Sequence, residues 1–163
     1  NMTRIRLALF TALSLIFTPL AAQDTRKGSV AYSAGDFATA FKLHMPLAEA
    51  GDAVAQYFIG SYYSQGKGVP QDKAEAVKWY RLAASQGDFI SQYTLGLMYE
   101  RGTGVLQDNV ISHMWYNIGA VNGSSLSADS RAEITKKMTP TAIEKAQAMA
   151  RECMSSNYKK CGY

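Results

Sequence analysis

Few residues in this 163-residue chain combine a reactive type with a useful spacing. Ser64-Gln-Gly-Lys67 matches the Ser-x-x-Lys pattern, in which one helical turn sets an amine beside a serine nucleophile. Gly66 interrupts the pair where a helix is ending, the companion Ser-Asp-Asn and Lys-Thr-Gly motifs are missing, and the equivalent positions 36 residues on are Glu100 and Thr103. A solvated loop is the better reading. His44 and His113 each stand apart from any Ser or Cys pattern. Either would titrate at about pH 6.5 in water, but both read as structural. Cys153 and Cys161 are an even pair near the C-terminus. With the two His distant in sequence, they fall short of the roughly four ligands of a structural metal site, so no metal or other cofactor is expected. In an exported chain the pair reads as a disulfide that pins the 155–160 tail onto the last helix. Asp72 and Asp108 read as helix caps rather than paired acids. Nothing in the sequence cradles a phosphate, and Asn122-Gly-Ser124 is an isolated glycosylation sequon.

The elements that carry these residues follow from a repeat. Gly51–Gln86 and Gly87–Asn122 align without a gap and agree at 14 of 36 positions, including the Gly-x-Gly-Val, Gln-Asp and Trp-Tyr groups. A fixed period of this length marks a solenoid of stacked supersecondary units. Each unit predicts two antiparallel helices. The first covers roughly Ala53–Gln65, with Ala55, Ile59 and Tyr63 four apart on an inner face. Gly60 in mid-helix predicts close backbone approach by the partner helix. Gly66-Lys-Gly-Val-Pro-Gln71 then breaks the chain direction. Asp72 caps the second helix, roughly Lys73–Gln86, and Glu75 completes a capping box. Ala76, Trp79, Tyr80, Ala83 and Ala84 mark its inner face, and Gly87 ends it. The second copy keeps Asp108 as N-cap, with Ile111 in place of the box Glu. Residues 24–50 read as a partial copy, with helices near Thr25–Ala34 and Phe37–Ala50. After Gly123 the period fails. A polar helix to about Lys137 and another opened by Thr139-Pro140 read as the terminal unit that shields the last apolar face over 123–163.

Residues 1–22 read as an address. Arg4 and Arg6 precede the 11-residue apolar run Leu7–Phe17, followed by Pro19 and Ala21-Ala22, the three parts of a secretory signal peptide. The run is shorter than the roughly 20 residues of a membrane span. Cleavage is expected near Ala22, leaving an exported chain, periplasmic or secreted, with no stable span. The charge is +4, from 17 bases and 13 acids; beyond residue 22, 15 bases and 13 acids leave +2 with no dense basic run. That balance argues against a nucleic-acid partner. With 47% hydrophobic residues the chain can bury a core, which excludes wholesale disorder.

The run Ala55-Gln-Tyr-Phe-Ile-Gly60, then Tyr63, Gly66, Gly68-Val69, Asp72, Ala76, Trp79-Tyr80, Ala83-Ala84 and Gly87, closely resembles the Sel-1-like repeat family, a relative of the tetratricopeptide repeat. The second copy departs from it at Ser112 and Gly119, which stand where Ala76 and Ala83 stood. The resemblance implies an all-α, right-handed α/α superhelix (solenoid) of helix hairpins closed by a C-terminal helical cap. It implies a role in protein–protein interaction, as adaptor, envelope regulator or host-interaction factor, and no common catalytic residue. By tetratricopeptide geometry each unit's first helix lines a concave face on which a peptide or partner helix lies. The residues so implied are Tyr57, Phe58, Ser61 and Ser64, their equivalents Tyr93, Thr94, Leu97 and Glu100, and Tyr32 extending the row. Tyr63 and Tyr99 read as core; Tyr57 and Phe58 fit either role.

The leading expectation is thus an exported, monomeric, non-enzymatic module for a protein or peptide partner. The alternative is a small envelope hydrolase or a peptidoglycan- or β-lactam-binding protein. Some cysteine-rich relatives have that link, but this chain lacks their paired cysteines. Its mark would be a polar pocket holding a strongly perturbed titratable group. A third reading is a structural scaffold that oligomerises through the first partial repeat.

Overall fold

The computed structural model describes residues 25–162, and within them every regular element is helical. The leader read at residues 1–22 lies outside the described residues. Helix α1 covers residues 25–33. It is followed by α2 (Phe37–Glu49), α3 (Ala53–Gln65), α4 (Lys73–Ala84), α5 (Phe89–Arg101), α6 (Asn109–Val121), α7 (Ser125–Thr135) and α8 (Pro140–Ser155). Side-chain caps start seven of them. Asp36, Asp52, Asp72, Asp88 and Asp108 accept backbone N–H groups in the first turns of α2 to α6, and Ser124 and Thr139 do the same for α7 and α8. Each such cap satisfies a donor that the helix itself leaves orphaned. The expected capping box forms only in part. Asp72 accepts from the Glu75 N–H at 2.9 Å, but the Glu75 carboxylate turns to Lys78 at 2.6 Å, and the Asp72 N–H donates to the Tyr63 carbonyl instead.

Three hairpins stack, α1/α2, α3/α4 and α5/α6, and each closes on a mid-helix glycine. The close approach expected at Gly60 is made by a ring rather than by backbone. A Cβ on Gly60 would lie 2.8 Å from the Tyr80 ring, one on Gly96 2.4 Å from the Tyr116 ring, and one on Gly28 2.4 Å from the His44 imidazole. His44 therefore fills the Tyr80 place in the shorter first hairpin. Neighbouring hairpins interlock through the inter-helix loop. Gly68 and Gly104, at φ 74° and 73°, press their Cα onto the Phe37 and Lys73 carbonyls at the start of the preceding hairpin's second helix. A side chain there would be strained by φ and would also collide with backbone.

A second lock is made of amides. Gln56 and Gln92 donate to the carbonyls of Ala48 and Ala84, the last turns of the preceding helices, at 3.1 and 3.0 Å. The carbonyl oxygens of their side chains accept from Gln86 and Asn122 at 2.8 and 2.9 Å. Both amides are buried, so each bond stands in place of solvation that would otherwise be lost.

Two apolar clusters result. One gathers Ala40, Ala48, Ala55, Ile59 and Tyr62; the other runs from α4 through α6 to Cys153 and Cys161. Tyr63 packs against both, while Tyr62 is the fully buried member of the pair. This corrects the inner-face assignment of α3 by one residue. Trp115 is fully buried and Trp79 half-buried.

Both departures of the second copy have structural partners. Ser112 donates to the Gly96 carbonyl at 2.8 Å, and a Cβ on Gly119 would lie 2.5 Å from the Ser127 hydroxyl of α7. The turn before α7 keeps the repeat geometry, with Gly123 at φ 103° beside Gly87 at 88°. So the hairpin-to-hairpin step continues once more although residue identity is lost. Helix α8 then packs on α6 rather than on α7, and the Cys153–Cys161 disulfide ties the tail to it. Tyr158 of that tail accepts a hydrogen bond from Asn122 at 2.9 Å, which uses the side-chain nitrogen of the sequon.

Candidate protein-binding face

On α5 the residues turned away from the core fall at Ile90, Thr94, Leu97 and Arg101, the steps of one helical stripe. The opposite side buries Ser91, Gln92, Leu95, Gly96, Met98 and Tyr99. Helix α3 repeats the stripe at Val54, Phe58 and Gln65, but its third position, Ser61, is buried. Where the two first helices adjoin, a depression of about 170 Å³ is lined by Ser64 from α3 and by Thr94, Leu97, Met98, Arg101 and Thr103 from α5 and its following loop. Three of the residues expected to face a partner, Ser64, Thr94 and Leu97, thus share one concavity. Arg101, Met98 and Thr103 were missed. Arg101 was legible as the next step of the Ile90–Thr94–Leu97 stripe; Met98 and Thr103 enter only through the packing of α5 and its loop.

The remaining expected residues are distributed differently. Tyr32 lies 5.3 to 5.7 Å, ring centroid to centroid, from Phe37, Phe58 and Tyr62. Tyr57 packs on Phe58 and Tyr80, and Tyr93 on Tyr116. Phe58 stacks on His44 at 4.5 Å. These aromatics are half-buried, with one side on the core and one side open. Ser61 is buried and accepts from Gln65 at 2.6 Å. Glu100 accepts from the Tyr116 hydroxyl at 2.7 Å and lies 3.6 Å from the Lys137 ammonium.

The residues that sequence alone offered for chemistry fall elsewhere. Gly66 ends α3 in the left-handed conformation, and Lys67 sends its ammonium over the Phe37 and Tyr32 rings, 4.8 and 5.6 Å from their centroids. That is a cation–π seat, not a base for Ser64. His44 Nδ1 lies 2.8 Å from the Tyr62 hydroxyl. Burial pushes the His44 pKa below the usual histidine range, partly offset by the Thr25 carbonyl and Asp52. Burial, then the Arg131 charge, lowers that of His113. Burial also raises the Tyr80 and Tyr116 hydroxyls well above the usual tyrosine range, and the Glu100 carboxylate adds to the shift at Tyr116. All four groups are neutral at pH 7, and none lines the 170 Å³ depression or a second one of about 450 Å³ beside Arg81, Tyr99, Leu106 and Ile111. Among the described residues no three His, Cys, Asp or Glu side chains gather as metal ligands, and no helix is long and apolar enough to cross a membrane.

The repeat geometry is matched by a known family model, the Sel1 repeat, over residues 53–88 and 90–124. The chain carries two Sel1 repeats. Its fold is similar to the crystal structure of a protective antigen present in uropathogenic Escherichia coli strains, which displays an SLR fold. The TM-score is 0.79 at 25% identity, over 85% of this chain and 31% of that one. It is also similar to a Sel1 repeat protein from Oxalobacter formigenes, with a TM-score of 0.67 at 23% identity, over 83% of this chain and 62% of that one. The Sel1-like chain therefore spans about a third of the length of the first and less than two thirds of the second. No curated protein sequence matches it. The Sel1 repeat fold points to a protein–protein interaction module.

Proposed function

We propose that this Sel1-like repeat protein is an exported, non-enzymatic module that holds a protein or peptide in the bacterial envelope or outside the cell. Its partner docks on the face formed by α3 and α5. The observation that carries this reading is the depression shared by Ser64, Thr94 and Leu97. It joins two successive repeats, so a ligand lying there contacts both at once, as an extended solenoid surface allows. The half-open aromatics Tyr57, Phe58 and Tyr93 border the same helices and supply amphipathic contact area. Export is supported by the composition of the leader and by a disulfide, which persists in oxidising compartments.

Thr94→Arg and Leu97→Glu test the face. Both sites are half-buried on the outer stripe, so the variants should keep the wild-type helical dichroism and melting point. Capture of partners by the immobilised chain from periplasm or culture fluid should fall about tenfold or more, the scale of a binding hot spot. Capture unchanged by both substitutions removes the face assignment.

A further inference from the structure

One row of side chains recurs along the open stripe at the repeat period. At its start stand Val54, Ile90 and Leu126, exposed by 52, 43 and 60%, an unusual persistence of apolar residues on solvent-facing first turns. At its end stands Arg101, exposed and without a carboxylate partner among the described residues, and in the loop after α3 Lys67 holds its ammonium over the Tyr32 and Phe37 rings. The carboxylate of Glu100, the residue before Arg101, is already occupied by Tyr116 and Lys137. The α3–α5 part of the face is therefore apolar at one rim and cationic at the other.

The rims are separated by the 11 residues from Ile90 to Arg101, about 16 Å of helix. A helix with its side chains, about 10–12 Å across, fits between them. Resting on the proposed docking face, we infer that the occupant is an amphipathic acidic helix of a partner protein, laid across α3 and α5. Its apolar side covers Val54 and Ile90, one side chain enters the depression over Leu97 and Met98, and its carboxylates meet Arg101 and Lys67. Arg101 offers a bidentate fork to a carboxylate.

Fluorescence anisotropy tests this with two labelled helical peptides of about 18 residues. One carries Leu along one side and Glu along the other; the second has Lys for every Glu. The wild-type chain should bind the acidic peptide about tenfold tighter than the basic one. Arg101→Glu, which alters an exposed side chain, should abolish that preference, and Ile90→Ser should weaken both peptides. Equal affinity for the two peptides, binding of neither, or a preference unchanged in Arg101→Glu overturns the inference. If Thr94→Arg still abolishes partner capture while neither peptide binds, the partner chemistry is wrong and the face stands. If Thr94→Arg leaves capture intact, the face itself is wrong.

Discussion

Each hairpin is closed at one atom-sized point. Gly96 and Tyr116 show why the sequence keeps glycine inside a helix where alanine would favour the helix by about 1 kcal/mol. The Tyr116 ring is fully buried and its hydroxyl is held by Glu100, so it has no room to retreat from an added methyl. Gly96→Ala should cost a net 1–2 kcal/mol or so, overpacking outweighing the helix gain. Thermal unfolding followed by dichroism should show Tm lower by several degrees, and an unchanged or raised Tm would contradict the contact. The same residue-level logic separates the two candidate serines. Ser64 reaches the depression; Ser61, one turn earlier, is buried and accepts from Gln65.

Among the elements, the terminal pair α7 and α8 does the work that a further repeat would do. Helix α7 takes the place of another first helix, while α8 crosses back onto α6 and buries Ala146, Ala150 and Cys153 there. The disulfide closes a short loop from Cys153 to Cys161. In the chain-entropy model such a loop contributes about 2–3 kcal/mol, through the unfolded state. Cys161→Ser should lower the unfolding free energy read from a denaturant titration by about that amount, without loss of helix content in the absence of denaturant. The bond also places Tyr158 where Asn122 can donate to it, so the last amide of the Gln92–Asn122 lock is satisfied by the tail.

For the whole molecule the question is whether the stack unfolds as one body. Nearest-neighbour contacts dominate a solenoid, so cooperativity depends on what joins adjacent units. Tyr63 is packed against both apolar clusters, and the amide and glycine locks run between the same hairpins. A single calorimetric transition is expected. Tyr63→Ala should cost about 2–3 kcal/mol, somewhat below the range for a fully buried aromatic. It should also split or broaden the transition as the N-terminal hairpins melt first. A sharp single transition in that variant would mean that the other locks suffice.

The period of 36, the helix pairs, the aspartate caps, the glycine breaks and the cysteine pair were all legible in the residue order. Each is a local matter of backbone conformation or of spacing along one helix, and local rules do not need a partner to operate. Tertiary structure alone decided that Tyr62 rather than Tyr63 is sealed in the core, and that Tyr rings rather than backbone press on the mid-helix glycines. It also decided that α8 packs on α6, and that Met98 and Thr103 join Ser64, Thr94 and Leu97 around one hollow. Those outcomes depend on the angle and offset between helices distant in sequence, which many side chains set together and no single stretch of sequence encodes.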